Sequence, residues 1–432
     1  MTLALNNGRA FVDGMLREVS ILIEKGRISK ISAEPFRALA AEKEIDCKGK
    51  IILPGAIDSH VHFRCPGLEY KEDWISGSLA ALHGGVTTVM DMPNTRPPTL
   101  TATAFGEKLS IAVKNSAVNF DVYMGCDGLN FHEIENAERL RAVKVFFGAS
   151  TGNMLFNSAE GLKKLFEISR EKGFVVVCHA EDENEIRKNK EKYLKGKNGE
   201  NEIIKPEIHM KIRNGAAEEK AVSALAEIQS QIGNRLHFAH ISSEKGLDAI
   251  AEAKKSRFGK MITCETAPHY IFLDSAYYKK LGNLIKCNPA IKTPKDRKAI
   301  MEALKKGVID TIASDHAPHT LEEKKMPYSE CPSGIPGVET MFPLLIDSAL
   351  RKKIPLEKVV ELVCEKPAWI FRWESKGYIK EGFDADLIII DPKKTFKIEN
   401  RKLFTKAGFS PFNNWKLKGS IEKTIIGGTV YG

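Results

Sequence analysis

Ile51-Ile52-Leu53-Pro54-Gly55-Ala56-Ile57-Asp58-Ser59-His60-Val61-His62-Phe63-Arg64 is the stretch from which the rest of the chain is read. Its apolar run, 51–57, predicts a buried strand entering from a turn. Side chains alternate faces along a strand, so residues two apart project together. His60 and His62 therefore share a face, with Arg64 next along it. Two neutral imidazoles side by side can chelate one metal ion, zinc being a common choice. The pair also fits a strand end with two incidental histidines; further ligands downstream decide between these readings.

Downstream, the chain repeats strand, polar end, amphipathic helix. Strands are predicted over 56–62, 86–92, 119–124, 142–147, 174–179, 236–240, 261–265 and 308–315. Helices are predicted over stretches such as 71–83, 159–172, 216–232 and 295–306. This alternation predicts an α/β chain with a (β/α)8 TIM-like barrel over 54–371. A doubly wound open sheet alternates in the same way, but no Gly-x-Gly-x-x-Gly follows the first strand. Short strands joined by glycine turns fill 1–53, suiting an antiparallel sheet, and similar strands return over 372–432. The two ends are expected to pair into one small β-sandwich domain beside the barrel. The charged segment 181–220 reads as a partly helical surface excursion.

The totals narrow the function classes. The 432 residues carry 65 basic and 56 acidic side chains, a formal net charge of +9. No dense basic stripe with interleaved aromatics occurs, which argues against nucleic acid. A mild positive balance suits an anionic small-molecule substrate. No run approaches the roughly 18 apolar residues of a membrane span, and the N-terminus lacks the pattern of a signal peptide. The eight cysteines are scattered without a Cys-x-x-Cys pair, which predicts reduced thiols in a cytoplasmic protein.

Catalytic groups of a barrel sit at the carboxyl ends of its strands. There the predicted strands place His60, His62, His179, His240 and Asp315, with Lys144 inside the fourth. A lysine in an apolar strand is costly unless paired or neutral. Burial lowers its pKa, and a neutral amine can add carbon dioxide to give a carbamate able to bridge two metals. A salt bridge to a neighbouring strand is the other reading of Lys144.

The chain resembles the dihydroorotases of the amidohydrolase superfamily over nearly its whole length. The resemblance rests on Asp58-Ser59-His60-Val61-His62-Phe63-Arg64-x-Pro66-Gly67, Met92-Pro93-Asn94-Thr95-Arg96-Pro97, Thr266-Ala267-Pro268-His269, Ser314-Asp315-His316-Ala317-Pro318-His319 and Gly334-Ile335-Pro336-Gly337-Val338-Glu339-Thr340. It implies reversible cyclisation of N-carbamoyl-L-aspartate to L-dihydroorotate, a step of pyrimidine synthesis. It further implies that His60, His62 and Asp315 hold one zinc, and His179 and His240 a second. Carboxylated Lys144 and a hydroxide would bridge the two, with Asp315 as general acid and base. Arg64, Asn94 and His319 would grip the substrate's carboxylate, with His62 beside it. Asn288 and the backbone at Pro336 and Gly337 would contact the ring. Cys65 stands where the family often has glutamate and is assigned no role. The Gly148–Gly152 segment lacks the acid that replaces the lysine in some relatives, and its composition suits a mobile lid. His83, His132 and His209 are expected at the surface or at helix ends, and His269 and His316 behind the site. Rival readings are an allantoinase or hydantoinase acting on a neutral ring, and a non-catalytic scaffold for aspartate carbamoyltransferase. Association with that enzyme, or homo-oligomerisation, is left open.

Overall fold

Gly55 splits the opening apolar run into two strands that serve different sheets. Ile51–Pro54 ends before it and Ala56–Val61 begins after it. A Cβ on Gly55 would stand 2.2 Å from the Thr87 side chain, so only glycine permits this approach. The single strand expected over 51–57 is therefore two. The computed structural model describes residues 2–36, 41–148, 156, 158–195 and 204–432.

From Ala56 the strands run parallel in sequence order. Ala56–Val61, Val86–Asp91 and Asn119–Val122 form one sheet. The third strand resumes as Met124–Gly125 and pairs with Ala142–Phe147. Val175–Ala180, Leu236–Phe238, Ile262–Thr266 and Thr311–Ile312 follow. A parallel bridge from Val61 to His316 brings the last strand back to the first. Asp58 Oδ1 reinforces that seam by accepting the Ser314 N–H at 3.0 Å. This is the strand order of a (β/α)8 barrel, with the helices between strands.

Helix ends follow local chemistry. The helix expected from residue 71 begins at Trp74, because Asp73 caps it in a capping box with Ser76. Pro294–Lys306 starts with Pro at its first turn under a Thr293–Asp296 capping box. It stops at Gly307, whose φ is 73°. Two strands are shorter than expected. The sixth ends at Phe238, and only Thr311 and Ile312 pair in the eighth. His240 (φ 41°) and Asp315 (φ 45°) turn the backbone out of extended geometry just beyond.

Strands from both ends of the chain share one sheet. Thr2–Val12, Met15–Glu24 and Arg27–Ser32 are antiparallel neighbours. Ile51–Pro54 pairs with Thr2–Val12 in parallel and with Leu387–Lys397 antiparallel. Lys416–Ile426 and Thr429–Tyr431 complete the far edge. The sheet is thus mixed, not wholly antiparallel, because Lys43–Asp46 and Ile51–Pro54 both return alongside Thr2–Val12 in the same sense. Leu5, Ile21, Ile23, Ile52, Leu387, Ile389 and Ile425 bury together on its own core.

The 181–220 excursion contains Glu183–Leu194 and Ile208–Ile212 and leads into Gly215–Ile232. It is not merely a surface feature. Ile186, Ile208, Ile212 and Ala217 form a small core against Tyr328, and Glu181, His209 and Arg213 are buried. Residues 149–152 of the expected lid lie outside the described residues. Among the described residues no helix is long and apolar enough to cross a membrane, and all eight cysteines are free and buried.

Candidate metal and active site

One cavity is lined by His60, His62, Arg64, Asn94, Lys144, His179, His240, Asn288 and Asp315, together with Phe146, Ala317, Ser333 and Gly334. Residues 255 positions apart in sequence (60 to 315) meet because first and last strands are neighbours. The rings of His60 and His62 lie 5.4 Å apart, those of His60 and His240 5.3 Å, and those of His179 and His240 4.8 Å.

His60, His62 and Asp315 present one ligand atom each within 4.8 Å of one another, a set able to hold a metal ion. Asp315 Oδ1 is 3.4 Å from Nε2 of both His60 and His62. Ligands about 2.1 Å from a tetrahedral ion stand about 3.4 Å apart, so the spacing suits zinc. Each imidazole has its other nitrogen occupied. His60 Nδ1 is 2.5 Å from Glu265 Oε1, and His62 Nδ1 is 2.7 Å from Asn94 Oδ1. Those acceptors keep the ring proton on Nδ1 and turn the Nε2 lone pair inward, the tautomer a metal requires. Burial pushes the His62 imidazole down to about 3, keeping it neutral. Burial would raise the Asp315 carboxyl, but His60 and His62 bring it down to about 2.

A second group faces it. His179 Nδ1 and His240 Nε2 point at each other across 3.1 Å, and His179 Nε2 lies 3.0 Å from Glu181 Oε2. Burial lowers both imidazoles. Two inward lone pairs at this distance suit a shared cation. Lys144 is wholly buried, and its Nζ has no hydrogen-bond partner among the described residues. Burial pulls the amine down to about 8, towards the neutral form that carboxylation needs. Unpartnered burial is costly for an ammonium, and a bridging carboxylate there would remove the anomaly. The donors present therefore fit a divalent pair.

Arg64 continues the His60–His62 face although the strand stops at Val61. Its φ of 61° carries the chain through a left-handed turn. The Phe63 N–H donates to Asp91 Oδ1 at 2.6 Å, which fastens the turn. The Arg64 guanidinium donates to Pro318 O at 3.2 Å and approaches His319 Nε2 at 3.3 Å. Burial lowers it to about 10, so it remains a cation at neutral pH. Positive φ at Arg64, His240 and Asp315 costs about 1–3 kcal/mol each.

Pro336 and Gly337 do not line this cavity. They line a neighbouring small pocket with His316 and Thr405, while Ser333 and Gly334 face the site. The Gly337 N–H donates to His316 Nδ1 at 3.1 Å, and His316 Nε2 meets Glu72 at 3.2 Å. His269 is buried near Asp315, with Nε2 unpartnered among the described residues. His83 and His132 are exposed on helices, as expected. His209 is not: it is buried, with both ring nitrogens bonded. Glu181, Glu265 and Asp91 were missed by sequence reasoning. The first two lie two residues beyond His179 and one before Thr266, and an acid at the end of a predicted strand was the available signal.

Residues 51–431 match the model of the amidohydrolase family. The dihydroorotase of Methanosarcina acetivorans is 37% identical over 417 residues, covering 94% of this chain and 87% of that protein. That of Geobacter metallireducens is 34% identical over 437 residues, covering 100% and 99%. The solved L-hydantoinase (dihydropyrimidinase) from Arthrobacter aurescens aligns with a TM-score of 0.92 at 29% identity, covering 99% of this chain and 95% of that one. With its ordered parallel strands, its converging histidines and these matches, the chain belongs to the amidohydrolase family.

Proposed function

We propose that the protein is a dihydroorotase, interconverting N-carbamoyl-L-aspartate and L-dihydroorotate. The observation that carries this reading is the buried Arg64 guanidinium set into the same cavity as the metal-type ligands. A buried cation is expensive unless a partner completes it, and a guanidinium fork matches a carboxylate. Dihydroorotate carries that carboxylate next to its ring; hydantoin and dihydrouracil do not.

The residues divide the work. Arg64 binds the carboxylate, with His319 alongside. Asn94 has its oxygen on His62 Nδ1, so its amino group is free to donate to the same carboxylate. Asn288 and the backbone at Ser333 and Gly334 take the ring. His60, His62 and Asp315 would hold one zinc and His179 and His240 another, and Lys144, if carboxylated, would add a further oxygen ligand. When bound, such a pair supplies Lewis acidity and makes hydroxide available near neutral pH. In the opening direction Asp315, held as a carboxylate, would take the proton of the attacking water and hand it to the ring nitrogen as that nitrogen's bond to the carbonyl carbon breaks. It runs the transfer backwards on closure.

The two-ended sheet with its separate core supports a small β-sandwich domain, 1–53 with 372–432, beside a barrel over 54–371. The unpaired cysteines support a cytoplasmic location. Ligand-type side chains at all six positions, His60, His62, Lys144, His179, His240 and Asp315, argue against a scaffold role.

The likeness to L-hydantoinase favours a second reading, hydrolysis of a neutral cyclic amide. One assay separates the two. Purified protein is given dihydroorotate, hydantoin, dihydrouracil and allantoin, with and without chelator. Chelator-sensitive opening of dihydroorotate alone is the expected result. Turnover of the neutral rings at comparable kcat/KM would overturn the proposal.

A further inference from the structure

His209 lies in the charged excursion, far from the strands that carry the ligands, yet it reaches a cavity residue. Its Nε2 is 2.9 Å from the Cys287 main-chain oxygen and 2.9 Å from Asn288 Oδ1. Its Nδ1 is 2.8 Å from the Tyr328 hydroxyl. A main-chain oxygen only accepts, so Nε2 carries the ring proton and Tyr328 donates to Nδ1. The Asn288 atom beside Nε2 must then be its oxygen, not its nitrogen. That leaves the Asn288 amino group as the end available to the cavity it lines. Burial, with Arg213 and Lys286 nearby, takes the imidazole down to about 3, so it stays neutral. Arg213, four residues on, pairs with Glu181, which faces His179. The same short helix thus backs both the ligand side and the ring side of the cavity.

We propose that His209 is a positioning residue that orients Asn288, so that Asn288 presents a donor and selects a carbonyl oxygen on the substrate ring. The inference rests on the reading of Asn288 as a ring contact. Without the His209 N–H, the amide is free to rotate and offers the ring either end.

The test is steady-state kinetics with dihydroorotate on His209→Phe, His209→Gln, Asn288→Ala and the double variant His209→Phe/Asn288→Ala. Melting temperature and zinc content serve as controls. His209→Phe should raise KM about fivefold to tenfold, the worth of one buried hydrogen bond, with kcat within about twofold. His209→Gln, which keeps an N–H donor, should recover most of the loss. In the Asn288→Ala background, His209→Phe should add less than about twofold. If Asn288→Ala raises KM but the two losses simply multiply, His209 acts elsewhere and the proposal falls alone. If Asn288→Ala leaves KM unchanged, the ring contact is wrong and both readings fall. Should His209→Phe not fold, His209→Met, apolar and more adaptable in shape, removes the same N–H instead. KM must then rise with Asn288 present and not with Asn288→Ala, and any other result refutes the proposal.

Discussion

Arg64→Met is the substitution that most sharply tests what this cavity is for. Methionine is similar in length and apolar, so it fills the 6%-exposed position without a charge. The fold loses the bond from Nε to Pro318 O at 3.2 Å and the contact with His319 Nε2 at 3.3 Å, a cost of about 1–2 kcal/mol. Substrate binding loses much more. A charged donor to a carboxylate contributes about 1.5–3 kcal/mol, and a guanidinium can offer two such bonds. Asn94 and His319 stay in place and offset part of the loss. About 3 kcal/mol is left, roughly a hundredfold in kcat/KM for dihydroorotate. The assay follows ring opening at fixed zinc, with melting temperature and metal content measured on the same preparation. A neutral ring such as dihydrouracil should change by less than about threefold, since it has no carboxylate to lose. A variant that keeps dihydroorotate kcat/KM within threefold of the parent, while folded and metal-loaded, would refute the carboxylate reading of Arg64.

Three further outcomes are expected. Asp315→Asn keeps a side chain that tolerates the φ of 45° but cannot accept the proton, so kcat should fall at least about a thousandfold with an unchanged circular dichroism spectrum; activity within tenfold would count against Asp315 as the acid and base. Glu265→Gln sets an amide N–H2 against either His60 Nδ1 at 2.5 Å or His237 Nε2 at 3.2 Å, and a chelator competition should show zinc held about 10–100-fold more weakly; unchanged affinity would remove Glu265 from the support of His60. Burial raises the Glu339 carboxyl from 4.5 to about 7, so the folded state binds its proton more tightly and stability is lost as pH rises from about 4.5 to 7. Glu339→Gln should therefore be more stable than the parent by about 1–3 kcal/mol at pH 8 and by almost nothing at pH 5 in denaturant unfolding, and a pH-independent difference would show that burial of the charge is not the cause.

The barrel's strands and most of the residues that line its cavity were legible in the chain because both rest on local rules. Period-two apolar runs ending in His60, His62, His179 and His240 announce strands with polar tips, and the barrel places all such tips on one rim. What stayed hidden depends on contacts between distant segments. Gly55 divides an apolar run that reads as continuous, because Thr87 from the next strand sits against it. Periodicity cannot foresee that the strands before His240 and Asp315 stop early, since an apolar run carries no sign of the positive φ that ends it.

Residue types and their order along the chain thus determined the fold class, the metal-type donors and the guanidinium beside them. Only the tertiary structure decided which acids hold those donors in register: Glu265 on His60, Glu181 beside His179, Asp91 under the Arg64 turn. It also turned a charged excursion, polar enough to pass for surface, into the seat of buried His209 and Arg213. The physical reason is the same in each case. A side chain's chemistry is local, but whether it is desolvated and what it bonds depend on strands and loops that approach from elsewhere in the sequence.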